Sequence, residues 1–252
     1  MALRLVALAL AKAPRLHLDV HLRPHAHLQL PKETTHLLRN VLRCSVGEPC
    51  RVFNGRDGEW GATIAELSKR GAVLELAAER LREPPPPDEP APRLLFGVLK
   101  NRQLPLLVEK ATELGVGTLQ PVVTEHCAAR SINIERLAAI ATEAAEQSER
   151  LTVPAIEPPR PLTAVLEGWD AQSTLYVCDE RSARDECARA PLTDLCASSS
   201  VLVGPEGGFS PSEFELLESS AFVRPISLGS NVLRAETACI AALAVIATRG
   251  QV

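Results

Sequence analysis

The chain has no uncharged apolar run approaching the roughly 18 residues that would suggest a membrane span, so it reads as a soluble, cytoplasmic protein. It also has no Cys-x-x-Cys pair. Its seven cysteines, at 44, 50, 127, 178, 187, 196 and 239, are odd in number and scattered, which argues against a disulfide framework or a zinc site and for reduced thiols. Five of the six histidines, at 17, 21, 25, 27 and 36, fall in a segment without carboxylate-rich ligand spacing, so no metal is expected. Internal repeats are missing. So are the signatures of nucleotide phosphate binding: no P-loop Lys-Ser/Thr follows the glycine-rich turn at 204–208, and no Gly-x-Gly-x-x-Gly follows a strand pattern. Net positive charge is lacking too, the formal value being −4.

What is present is unevenly distributed. With 252 residues, 46% hydrophobic and 23% charged, the chain is long enough for one large domain or two smaller ones. Residues 1–83 hold 13 Lys+Arg against 9 Asp+Glu, whereas residues 84–252 hold 14 against 22. The basic excess sits in the first third, as in a module that docks on RNA. The opening "MALRLVALALAKAP" has an early arginine and a short apolar stretch, but Lys12-Ala13-Pro14 is a poor signal-peptide cleavage site. Residues 1–13 are therefore read as an N-terminal extension.

Proline marks the clearest boundary. "EPPPPDEPAP", Glu83 to Pro92, cannot continue a helix or a central strand and reads as an extended linker between a domain at 14–82 and a domain at 93–252. Before it, "RLHLDV", "CRVFNG", "WGATIAEL" and "AVLELAAERL" are short β-prone runs broken by "NGRDG" and "KRG", the pattern of a small barrel built from hairpins. One helix interrupts them: "PKETTHLLRNVLR", with Thr34 or Thr35 as its cap and Leu37, Leu38, Val41 and Leu42 as its apolar stripe. His36, Arg39 and Arg43 then share the opposite side, where they suit either solvent or phosphate.

After the linker, strands such as "RLLFGVLK", "TLQPVVT", "STLYVCDE", "SVLVGPEGG" and "VRPISLGS" alternate with helical patterns. That alternation predicts an α/β fold, a parallel sheet covered on both faces, whose ligand sits at the C-terminal ends of the strands. "LVGPEGGFSPSE" ends one strand there, with Ser210, Pro211 and Glu213 set to cap the next helix. Glu206 at the centre of the turn would repel phosphate and suits a ligand rich in hydroxyls and positive charge. "PISLGSNVLRAETA" supplies a second glycine-containing turn and "LYVCDE" a third strand end, together a pocket for a small planar molecule held largely by backbone groups. On spacing, Arg234 and Glu236 at the mouth of the last helix read as a local ion pair.

Five motifs in order, "THLLRNVLRCSVGE", "KATELGV", "EAAEQSER", "VGPEGGFSPSE" and "LGSNVLRAETA", closely resemble the ribosomal RNA small-subunit methyltransferase E family, a branch of the SPOUT methyltransferases. The resemblance runs from about Pro14 to the C-terminus. It implies a PUA-like β-barrel followed by an α/β methyltransferase domain with a C-terminal trefoil knot, acting as a homodimer. It further implies S-adenosylmethionine as cofactor and methylation of uridine N3 in 16S rRNA, in the decoding region of the small ribosomal subunit.

Carried over by motif, the cofactor-binding residues are Gly204, Pro205, Glu206, Gly207, Leu228, Gly229, Val232, Leu233 and Thr237, with Cys178 and Asp179 added by position. His36, Arg39 and Arg43 would meet RNA. Arg234 and Arg150 are the candidates for stabilising charge on the base, with Glu236 as a candidate base and Gln147 three residues before Arg150 on the same helix. Two departures stand out: Asn231 where relatives often carry arginine, and His17 where phenylalanine is usual. The alternative readings are a SPOUT enzyme for another RNA position, a non-catalytic RNA-binding assembly factor and, third, a phosphate-binding hydrolase.

Overall fold

Ten residues rich in proline, 83–92, carry neither helix nor strand, and the chain divides within them. In the computed structural model, which describes residue 10 and residues 12–129, 131–179 and 190–249, residues 1–89 with 149–152 form one unit. Residues 90–148 and 153–252 form the other. Most of the N-terminal extension lies outside the described residues.

The first unit is a five-stranded sheet of β1 (Arg15–His17), β2 (His27–Gln29), β3 (Pro49–Asn54), β4 (Gly58–Leu67) and β5 (Ala72–Arg82), in the order β1-β3-β4-β5-β2. Only β1 and β3 pair in parallel. Asn54 shapes the β3–β4 hairpin by accepting from the amides of Arg56 (3.1 Å) and Asp57 (2.6 Å) on its side-chain oxygen. Leu16, Val52, Trp60, Ile64, Leu74 and Leu76 bury one face of the sheet against Leu38.

The helix of this unit departs from its expected register. Helix α1 (Lys32–His36) starts directly after Pro31, and Thr35 caps nothing: its hydroxyl donates to the Pro31 carbonyl at 2.9 Å. A π-helical turn, Leu37–Val41, follows. The wider turn rotates the residues after it. Leu38 is therefore buried while Val41 and Leu42 are exposed, and Arg43 leaves the helix with φ +57°.

Buried Glu59 explains why residues 149–152 belong here. Arg15 Nε donates to Glu59 Oε1 at 2.7 Å, and Arg51 and Arg82 lie at 3.4 and 3.3 Å from its carboxylate. The same three arginines hold the incoming segment. Arg15 Nη2 donates to the Arg150 carbonyl (2.5 Å), Arg82 Nη1 to the Glu149 carbonyl (2.8 Å), and Arg51 Nη2 to Glu149 Oε1 (2.9 Å).

The second unit is an all-parallel sheet of β6 (Arg93–Gly97), β7 (Thr118–Val123), β8 (Ala155–Ile156), β9 (Arg160–Pro161), β10 (Leu175–Cys178), β11 (Ser200–Val203) and β12 (Val223–Ile226). Its order is β12-β10-β11-β6-β7-β8, with β9 also on β7. Helices α2 (Leu104–Glu113), α3 (Ile134–Gln147), α4 (Leu162–Glu167), α5 (Pro211–Ser219) and α6 (Ala235–Arg249) complete it. Because strand side chains alternate, Leu94, Phe96, Val201 and Val203 pack with α2, α3 and α6 on one face, while Leu95, Leu202 and Val177 pack with α4 and α5 on the other. Both faces being covered accounts for the nearly unbroken apolar runs in these strands.

Candidate active site

Three neighbouring strands, β12, β10 and β11, end side by side, as the glycine-bearing turns after them suggested. They frame a cavity of about 130 Å³. Of the expected cofactor residues, Cys178, Asp179, Gly204, Pro205, Glu206, Leu228, Gly229, Val232 and Leu233 line it, and so does Arg234. Gly207 and Thr237 are not in the lining. Gly208, Ser227 and Asn231 are, and sequence reasoning had given the first two no role.

The turn after β11 is built by close approach. At Gly97, at the end of the adjacent β6, a Cβ would stand 2.4 Å from the Pro205 nitrogen, so only glycine lets the turn sit there. Gly208, with φ +69°, closes it by donating to the Pro205 carbonyl at 2.9 Å. Gly207 faces another way: its carbonyl accepts from His126 Nδ1 at 3.2 Å, and a Cβ would press on His126 at 2.9 Å. Ser210 and Glu213 form the expected capping box, and Glu213 Oε1 also accepts the amide of Glu125 (2.8 Å), fastening the loop after β7 to α5. Glu206 Oε1 accepts the amide of Lys100 at 3.3 Å.

The turn after β12 is glycine-dependent for a different reason. Gly229 has φ +124° and open space where a Cβ would be, and its carbonyl accepts from the Ser227 hydroxyl at 3.1 Å. The chain then enters α6 with Arg234 exposed at the rim. Among the described residues Arg234 and Glu236 form no ion pair, contrary to the spacing argument. Glu236 is buried and accepts instead from Gln103 Nε2 at 3.1 Å, while Gln103 Oε1 is buried without a hydrogen-bond partner. Nothing in the sequence pointed to Gln103, which belongs to no motif and stands 133 residues from its partner.

Arg150 belongs to the first unit. Helix α3 ends at Gln147, and Glu149, with φ +60°, turns the chain into the first unit, so Arg150 does not continue the helical face of Gln147. It is half-buried there, donates to the Thr152 hydroxyl at 3.0 Å, and burial pulls its pKa down to about 10. In the same unit His36 and Arg39 line one cleft, whereas Arg43, past the π-helical turn, does not. His17 meets Phe53 edge-on at 5.4 Å, a packing contact.

Chemically, the pocket offers two carboxylates, apolar side chains and a ring of backbone groups, with one guanidinium at its rim. No group of three or more metal-ligating side chains occurs among the described residues.

Comparison with known proteins finds relatives over most of the chain. Residues 88–247 match a family model described as an RNA methyltransferase domain, and residues 30–77 one described as an RNA methyltransferase PUA domain. The ribosomal RNA small subunit methyltransferase E of Rickettsia conorii is 36% identical over 92% of this chain and 94% of its own. That of Synechocystis is 32% identical over 87% and 72%. Among solved structures, the Neisseria gonorrhoeae enzyme of the same name, bound to S-adenosyl methionine, superposes with a TM-score of 0.79 at 28% identity, covering 92% of this chain and 95% of that one. A methyltransferase from Legionella pneumophila with bound SAM matches equally well, at 0.79 and 28%, over 93% and 96%.

Proposed function

Since this chain belongs to the ribosomal RNA small subunit methyltransferase E family, we propose that it methylates N3 of a uridine in 16S rRNA of the small ribosomal subunit, using S-adenosylmethionine. The observation that carries the reading is the cavity at the ends of β10, β11 and β12, in a chain whose relatives bear that name. Its lining fits the cofactor: Asp179 and Glu206 suit ribose hydroxyls and a positive sulfonium, and Leu228, Val232, Leu233 and Ala238 suit a planar base. When bound, S-adenosylmethionine supplies an electrophilic methyl group.

The chain's own residues would orient and polarise the acceptor. Uridine N3 is a weakly acidic imide, and removing its proton places charge on O2 and O4. The exposed Arg234 guanidinium, at the rim of the cavity, is suited to stabilise that charge. Glu236, held by Gln103, is the candidate to receive the proton, and Gly207, whose carbonyl meets His126, supports the turn after β11. His36 and Arg39 would engage RNA from the first unit. We further propose that the enzyme works as a cytoplasmic homodimer whose C-terminal part forms a trefoil knot.

The test is incubation of the purified protein with labelled S-adenosylmethionine and small subunits from cells lacking the modification, followed by nucleoside mass spectrometry. New 3-methyluridine is expected. Cofactor binding without transfer would point to another RNA position, and no cofactor binding would point to a non-catalytic assembly factor.

A further inference from the structure

A second cavity, of about 230 Å³ and wholly within the first unit, gathers positive charge from two elements distant in sequence. Lys32, His36, Arg39 and Asn40 come from α1 and its π-helical turn, and Lys69 and Arg70 from the tip of the β4–β5 hairpin. No carboxylate lines it, and none of these five basic side chains is in an ion pair within 4.0 Å among the described residues. Elsewhere in the same unit Arg15, Arg51, Arg56, Arg80 and Arg82 have carboxylate partners. Four permanent charges left unpaired around one concavity repel one another, and an anion relieves that repulsion.

The cleft is also pre-formed. The hairpin tip is fixed by the Ser68 amide and hydroxyl donating to the Gly71 carbonyl (2.9 and 3.1 Å) and by the Arg70 amide donating to the Ser68 hydroxyl (3.1 Å). The Leu30 amide donates to the Ala72 carbonyl at 2.9 Å, joining the start of the helical wall to the base of the hairpin. The Thr35 amide and hydroxyl both donate to the Pro31 carbonyl at 2.9 Å, fixing the first turn of α1.

We propose that this cleft grips the phosphate backbone of the RNA substrate, with Lys69 and Arg70 completing a site of which sequence shows only His36 and Arg39, and that it does so without reading bases. The inference rests on the RNA-methyltransferase reading above. No Phe, Tyr or Trp lines the cleft, His36 being the one aromatic ring in its lining, and four of its side chains are permanent cations suited to phosphate oxygens. Arg43, which the π-helical turn directs out of the cleft, takes no part.

The experiment measures binding of a small-subunit rRNA fragment, and of an unrelated RNA of equal length, from 50 to 300 mM salt, for the wild type, Lys69→Ala/Arg70→Ala and Arg43→Ala. Every cation withdrawn from a phosphate lowers the slope of log K against log salt by about 0.7 to 0.9. The double variant is therefore expected to show a slope shallower by about 1.5 on both RNAs, with its cofactor affinity and melting temperature unchanged, and Arg43→Ala to match the wild type. An unchanged slope in the double variant, or a weakening confined to the rRNA fragment, overturns the proposal. Failure of the wild type to bind either RNA would instead overturn the reading beneath it.

Discussion

Glu206 Oε1, in the turn after β11, accepts the amide of Lys100, just past the end of β6, at 3.3 Å. The carboxylate in the glycine-rich turn thus ties two strand ends together as well as placing negative charge at the cavity. Glu206→Gln keeps an acceptor and removes the charge; Glu206→Ala removes both. A hydrogen bond of about 1 kcal/mol corresponds to about fivefold in affinity. Isothermal titration with S-adenosylmethionine should therefore show Ala weaker than Gln, and Gln weaker than wild type. Equal affinity in all three would mean that the turn needs neither.

Arg234→Ala should lower turnover by about a hundredfold, the scale of a lost charge-stabilising donor, with little change in cofactor affinity. Equal losses in both would show that the arginine only shapes the cavity. Glu236→Gln and Gln103→Leu separate proton transfer from scaffolding. If Glu236 receives the proton, Glu236→Gln lowers turnover with cofactor affinity and melting temperature kept, and Gln103→Leu lowers turnover less; a purely structural pair would lose melting temperature and turnover together.

Gly97→Ala forces a methyl group against the Pro205 backbone at 2.4 Å. A clash with backbone is expected to cost about 1–3 kcal/mol and several degrees in Tm. Gly229→Ala meets nothing within 4 Å and suffers only its φ of +124°. Calorimetry should find the Gly97 variant the less stable of the two.

Burial lowers the pKa of His17 below its ordinary 6.5, so the folded state resists a proton that the unfolded chain accepts. Stability is retained above pH 6.5 and falls as pH drops below it. His17→Phe removes this dependence. Chemical denaturation at about pH 5 and pH 8, on either side of that value, should show a smaller acid loss in the variant than in the wild type.

Much of the site was legible because it is local. Gly204, Pro205, Glu206, Leu228 and Gly229 stand at strand ends in continuous motifs, and the capping box of Ser210 and Glu213 is a four-residue pattern that needs no tertiary partner. Alternating strands and helices with apolar runs on both faces likewise determined a covered parallel sheet, since that pattern buries both sides of every strand. Three things only the tertiary structure decided. The π-helical turn at Leu37–Val41 took Arg43 out of the basic face, because helical spacing assumes a constant turn. Positive φ at Glu149 and the arginines around Glu59 carried Arg150 away from the helix that its spacing suggested. Gln103 reached Glu236, and Lys69 and Arg70 reached Lys32 and Arg39, across sequence separations that no periodicity encodes; such pairs exist only once the sheets and helices have packed.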